Sequence, residues 1–197
     1  MITNKKKSLI FVTYQYPYLS GEYFIEEEIK YLAEAFNGVA VLPARCFFWK
    51  PNLGVRDLPE GAVLWDPRKV PLLKRMTWAI LACLQAPAYI KRQKVGWQGN
   101  AELLTVSYLK AFKSSFKAIF VGHAISWFNR RSNLSGDRIG YAYWRDFSAA
   151  ALAFSRDALQ LKKIYARCHR VDIYSPLRWP NETMIHAQAD GLFFGSK

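Results

Sequence analysis

Along this chain, short apolar runs alternate with longer stretches of helical period. Leu9 to Thr13, "LIFVT", is a continuous apolar run bounded by turn residues, the pattern of a strand covered on both faces. A helix is expected from about Gly21 to Phe36, with Ser20 as its N-cap and Glu22, Glu26, Glu27 and Glu28 crowding its positive end. Its buried stripe is Ile25, Ile29, Leu32 and Phe36. Val39 to Pro43 reads as a second strand and completes a βαβ unit, and Ala62 to Trp65 reads as a third. Further on come a strand at Arg138 to Trp144, a helix at Asp146 to Lys162 and a strand at Ile164 to His169. A helix around Asn181 to Gln188 and a strand at Gly191 to Ser196 close the series. Such alternation predicts an α/β fold, a Rossmann-like, doubly wound parallel sheet in a single domain over residues 1 to 197.

The rhythm breaks between Arg68 and Arg131. This segment holds twelve Lys or Arg and one acid, Glu102, so it carries +11 of a formal net charge of +13. It reads as a basic helical insertion of two long helices in which Lys alternates with Trp, Phe, Leu and Ile. In the second helix Leu109, Phe112, Phe116, Ile119 and Phe120 recur at helical spacing, with Lys110, Lys113 and Lys117 on an adjoining face. An anionic membrane surface attracts such helices, each Lys or Arg contributing about 1 kcal/mol near the headgroups. On this reading Lys74, Arg75, Trp78, Lys91, Arg92, Lys110, Lys113 and Lys117 meet the membrane. The alternative is an insertion whose apolar stripe packs on its own domain. Nucleic acid ranks last, because no zinc-finger spacing, aromatic sheet motif or helix-turn-helix pattern is found.

Hydrophobic residues make up 51% of the chain and aromatics 16%, which points to a packed core rather than a disordered chain. Cys46, Cys83 and Cys168 are odd in number and widely spaced, fitting neither a disulfide framework nor a zinc site, and are expected to be reduced packing residues of a cytoplasmic protein. The basic start followed by apolar residues reads as a buried strand rather than a signal peptide, since Tyr, Gln and Pro follow within ten positions and no small-residue cleavage site appears. Met76 to Ile90 is free of charge but too short to span a bilayer and contains Pro87. "NET" at Asn181 fits a glycosylation pattern that has no meaning in a cytosolic chain.

Open parallel sheets bind ligands beyond the carboxyl ends of their strands, which singles out Tyr14 to Glu22, Trp144 to Asp146 and His169 to Tyr174. Glu22 precedes Ile25 and Ile29 by three and seven residues, so a helix starting at Ser20 turns it toward the crevice. Glu26 to Glu28 need no ligand, because carboxylates in a first turn answer the helix dipole. His169 ends an apolar strand beside Arg170 and Asp172, where it could donate to a phosphate or a sugar hydroxyl or serve structure alone. His123 and His186 sit on helical faces as packing or surface residues. Dinucleotide, P-loop, serine-hydrolase and metal-cluster motifs are all missing.

Taken together, "SLIFVTYQYPYLSGEYFIEEEIKYLAEAFNGVAVLPAR" resembles the opening of family 4 glycosyltransferases of GT-B fold, particularly bacterial enzymes of capsular and exopolysaccharide assembly. "YAYWRDFSAAALAF" resembles their fourth strand and helix, and "YARCHRVDIYSPLRWP" resembles their Arg-x-His-Gly-x-Asp-Leu-Tyr motif through Arg167, His169, Asp172 and Tyr174, with Arg170 in place of the Gly. "ADGLFFGSK" resembles the strand after which such enzymes cross to a second domain. That domain, with its Glu-x7-Glu donor site, has no counterpart here, so the resemblance implies an N-terminal, acceptor-binding half of a GT-B fold, inactive without a donor-binding domain.

The resemblance further implies a retaining, hexosyltransferase-type enzyme that moves a sugar from a nucleotide-sugar donor to a lipid-linked or saccharide acceptor in polysaccharide biosynthesis, with no metal and no other cofactor. His169 would take the catalytic place, facing the interdomain cleft. Tyr16, Gly21, Glu22, Trp144, Asp146, Arg167 and Asp172 would bind the acceptor or line the cleft. The basic helices would then dock the protein peripherally on the cytoplasmic face of the cell membrane. The competing reading is a noncatalytic basic module that binds anionic membrane, a partner subunit or nucleic acid.

Overall fold

The computed structural model describes residues 7–18, 22–48, 54–94, 104–168, 185 and 189–194. Six strands form one sheet in which every pairing is parallel: β1 (Lys7–Thr13), β2 (Gly38–Pro43), β3 (Ala62–Leu64), β4 (Asp137–Ala142), β5 (Leu161–Cys168) and β6 (Gly191–Phe194). Their order is β3-β2-β1-β4-β5-β6, so the chain leaves β1 for one edge and returns at β4 to build toward the other. The boundary between β1 and β4 is the topological switch point of a Rossmann-like sheet.

Both faces are covered, as the continuous apolar strands require. Alternate residues of β1 point to opposite faces. Leu9 and Phe11 pack with Val39, Val41, Ile25 and Ile29 beneath α1 (Ile25–Ala35), and burying each of those two isoleucines is worth about 1.5–3 kcal/mol. Ile10 and Val12 face the other way, into a larger core with Ala40, Leu42, Ile119, Ile125 and Leu152. That core is roofed by α2 (Leu72–Lys94), α3 (Leu104–Asn129) and α4 (Phe147–Leu159). The basic insertion is therefore a structural layer of the domain, as the packing alternative expects.

Small residues let α3 lie close on α4. A Cβ added at Gly122 would stand 2.6 Å from Phe154 Cδ1 and 2.8 Å from Ser155 Oγ, and the Ser155 hydroxyl donates to the Gly122 carbonyl at 3.1 Å. The stripe expected on α3 faces inward at Phe112, Phe116, Ile119 and Phe120, but Leu109 does not.

Element boundaries differ from the sequence expectation for local reasons. Helix α1 starts at Ile25 rather than Gly21, because Glu22 takes a left-handed backbone, φ 55°, that a helix cannot contain. Phe24 is its N-cap residue without a side-chain cap bond, and Ser20, expected in that role, lies outside the described residues. Helix α4 stops at Leu159 because Gln160 adopts φ 53°, so Leu161 and Lys162 join β5 instead of extending the helix. Strand β4 ends at Ala142, which frees Trp144 for the site. Apart from Ile185, the helix expected at 181 to 188 lies outside the described residues.

Candidate functional site at the sheet switch point

Beyond Thr13 the chain turns sharply, and one carboxylate organises the turn. Glu22 Oε1 accepts from the Tyr14 amide at 3.1 Å, while Oε2 accepts from the Gln15 and Tyr16 amides at 2.6 and 2.7 Å. The Trp144 indole N–H, arriving from the end of β4, donates to Oε1 at 2.6 Å. Two oxygens thus serve four N–H donors, the full complement of a carboxylate. These charge-assisted bonds offset the roughly 1–2 kcal/mol of backbone strain at Glu22. Glu22 is turned inward, as expected, but from a loop rather than a helix. Its acceptor positions are filled within the fold, and these bonds fix the β1 loop against β4.

The loop is anchored at its other end as well. Thr13 Oγ1 donates to the Tyr16 carbonyl at 2.6 Å, and the Tyr18 hydroxyl donates to Asp66 Oδ1 at 2.8 Å. Asp66 also accepts from the backbone N–H, Nε and Nη2 of Arg68. Burial raises the Asp66 pKa, but the bonds from Arg68 and Tyr18 outweigh it and hold the carboxyl below its ordinary range. The Arg56 amide donates to the Pro17 carbonyl, and its guanidinium pairs with Glu26 at 3.1 Å.

Around this fixed loop stands an aromatic and cationic set. The Tyr14 ring lies 6.3 Å from Trp144 and 6.2 Å from Phe147, centroid to centroid. Arg45 lies two positions past the end of β2, in a single 3-10 turn (Ala44–Phe47); its amide donates to the Tyr14 carbonyl and its guanidinium sits 4.9 Å over the Tyr14 ring. Lys117, reaching in from α3, places Nζ 5.2 Å from the Phe147 ring centroid and 5.5 Å from that of Phe48. Partial burial lowers the Lys117 pKa, Lys113 and Arg45 lower it further, and Asp146 partly opposes them. A half-buried ammonium beside two further cations can stabilise an incoming anion, and the half-buried rings of Tyr14 and Trp144, unlike the buried Phe147, can meet the apolar face of a sugar.

The sequence-predicted residues are distributed unevenly about this set. Glu22 and Trp144 meet in one hydrogen bond. Asp146 is the N-cap of α4, its carboxylate accepting from the Ser148 amide at 2.8 Å. The Tyr16 ring is buried in the α1-side core, and burial, reinforced by Glu26, pushes its hydroxyl up to about 12. Arg167 also lies on the α1 side: it pairs with Glu28 at 2.7 Å and sits 4.8 Å over the Tyr143 ring. Glu28, expected only to answer the helix dipole, also accepts from the Tyr141 hydroxyl. Gly21, His169 and Asp172 lie outside the described residues, as does the side chain of Arg92.

Among the predicted membrane contacts, Trp78 is overturned. It is buried against Phe47, Phe120 and Trp127, and Arg75 beside it donates to the Phe47 carbonyl at 2.7 Å. Lys74, Lys91, Lys110 and Lys113 are exposed, whereas Lys117 turns into the switch-point set. Sequence reasoning passed over Arg45 and Phe147; the rule that ligands bind beyond strand ends, applied to β2 as well, reaches Arg45.

Among the described residues, no cluster of His, Cys, Asp and Glu is arranged to hold a metal ion, and no helix is long and apolar enough to cross a membrane. Cys46 and Cys168 are buried and Cys83 is exposed, and none of the three forms a disulfide. No protein-family description, curated protein or solved structure matches the chain.

Proposed function

We propose that this chain is the acceptor-binding half of a retaining, GT-B type glycosyltransferase of bacterial polysaccharide assembly. The observation that carries the reading is the set of Tyr14 and Trp144 with Arg45 and Lys117 at the switch point, on a loop fixed by Glu22. Aromatic faces pair with sugar rings and the two cations with a phosphate, which together suit a phosphate-bearing, lipid-linked saccharide acceptor. The sequence resemblance supplies the reaction: transfer from a nucleotide-sugar donor without a metal. Donor binding falls to a second domain, in cis or in trans, and the work is done at the cytoplasmic face of the cell membrane.

Ligand-observed NMR with the full chain tests this. Saccharide phosphates of the polyprenyl-linked type are expected to bind, nucleotide sugars to bind weakly, and no donor turnover to occur until a donor domain is added. Turnover by the chain alone would overturn the half-enzyme claim, and indifference to every saccharide phosphate would overturn acceptor binding. A second reading, a noncatalytic basic module, is favoured by the absence of any carboxylate from α2 and α3; it predicts anion binding without preference for a sugar.

A further inference from the structure

Helix α2 is apolar on two sides. Its inner side, with Trp78, Ala82, Ala86 and Tyr89, is buried in the core. Its outer side carries Leu72, Met76, Ile80 and Leu84 at every fourth position with Leu73 alongside, and each of the five is more than half exposed. Five neighbouring exposed side chains of this size exceed what scattered surface hydrophobes account for. At 1.5 Å per residue the stripe is about 18 Å long.

We infer that this outer face of α2 is a docking surface for an anionic lipid bilayer, with the helix lying in the plane of the interface. Charge selects the occupant. Neither α2 nor α3 contains an Asp or Glu. Exposed Lys69 and Lys74 stand at one end of the stripe and exposed Lys91 at the other, placed to reach headgroup phosphates while the leucines enter the acyl boundary. A second copy pressed against the same face would bring these cations together, which costs free energy. The surface stands apart from Glu22 and Trp144 and does not depend on sugar transfer.

The experiment is vesicle flotation of the full chain with phosphatidylcholine alone and with added phosphatidylglycerol, over a salt series. Binding should require the anionic lipid and weaken as salt rises. Ile80→Glu with Leu84→Glu alters exposed positions only and should weaken binding roughly tenfold or more with an unchanged denaturation midpoint. Cys83, the exposed thiol of the helix, gives a second readout on the unsubstituted chain: an environment-sensitive fluorophore attached there should shift to the blue on anionic vesicles only. No binding at low salt, equal binding by the doubly substituted chain, or no spectral shift at Cys83 would each overturn the inference. So would a lipid-independent dimer that the same substitutions abolish, because the face would then belong to a second copy. None of these outcomes bears on saccharide binding: failure here would remove the membrane location from the proposed function and leave its acceptor chemistry to the saccharide-phosphate experiment.

Discussion

Trp144 and Glu22, 122 positions apart in sequence, share a 2.6 Å hydrogen bond that closes the two strand ends flanking the switch point onto each other. The same carboxylate holds three successive amides of the β1 loop, so both halves of the sheet are referenced to one side chain.

Glu22→Gln should therefore act on the fold before it acts on any ligand. The new amide group points a donor at N–H groups that now meet an acceptor, and the loss is expected to be about 2–3 kcal/mol. Trp144→Phe keeps an aromatic ring and removes one bond, for a loss of about 1 kcal/mol. Denaturant unfolding of both variants and their combination gives the coupling between them. A Glu22→Gln chain as stable as the parent would mean that the carboxylate is not the organiser of the loop. A Glu22→Ala variant that loses transfer could accordingly not be read as loss of an acceptor contact unless its stability had been measured too.

Lys117→Met separates binding from packing. Burial and two nearby cations disfavour the charged ammonium in the fold, so its folded pKa lies below the unfolded value. The sign follows: the lysine costs stability while it is charged in both states, and this cost disappears as pH rises through the folded pKa toward about 10.4. Methionine preserves the stem against Phe48 and Phe147, so the variant should be as stable as the parent or up to about 1 kcal/mol more so. Its affinity for a saccharide phosphate or for inorganic phosphate should fall roughly tenfold. Calorimetric titration and thermal unfolding on the same sample check both signs; a destabilised variant with unchanged phosphate affinity would make Lys117 a structural residue only.

How much of this was legible in the sequence depends on whether the cause was local. "LIFVT" announces a strand covered on both faces because four apolar residues in a row cannot face water on alternate sides, and β1 lies where the run does. Glu22 is turned inward, as its spacing from Ile25 and Ile29 suggested, but the helix on which that spacing relies begins only at Ile25, so the period does not account for it. The φ of 55° and the four donors come from residues 14 to 16 and from Trp144, which no helical period connects to it. On α2 the failure runs the other way. Trp78 and Leu84 both lie on apolar positions of one helix, and only the packing of Phe47, Phe120 and Trp127 decides that Trp78 faces in and Leu84 faces out. Arg167 and Glu28 pair across 139 positions because β5 and α1 share a face of the sheet, a consequence of strand order rather than of local pattern.

The helical layer above the sheet should respond to pH through His123. Its Nε2 lies 3.2 Å from Gln85 Oε1 on α2, and its ring lies edge-on to Phe154 of α4 at 5.6 Å, so it joins three helices. Burial depresses its pKa, and Arg130 depresses it further. A histidine depressed in the fold takes up its proton first in the unfolded chain. Its contribution to stability is thus complete above the unfolded value of about 6.5 and is lost as pH falls toward the lower folded value. Denaturant midpoints measured between about pH 7.5 and 5 should decline, and His123→Gln, which retains a partner for Gln85 without a titrating group in this range, should flatten the part of the decline that belongs to this site. If the variant declines as steeply as the parent, the loss arises elsewhere and the α2, α3 and α4 layer does not sense pH through this ring.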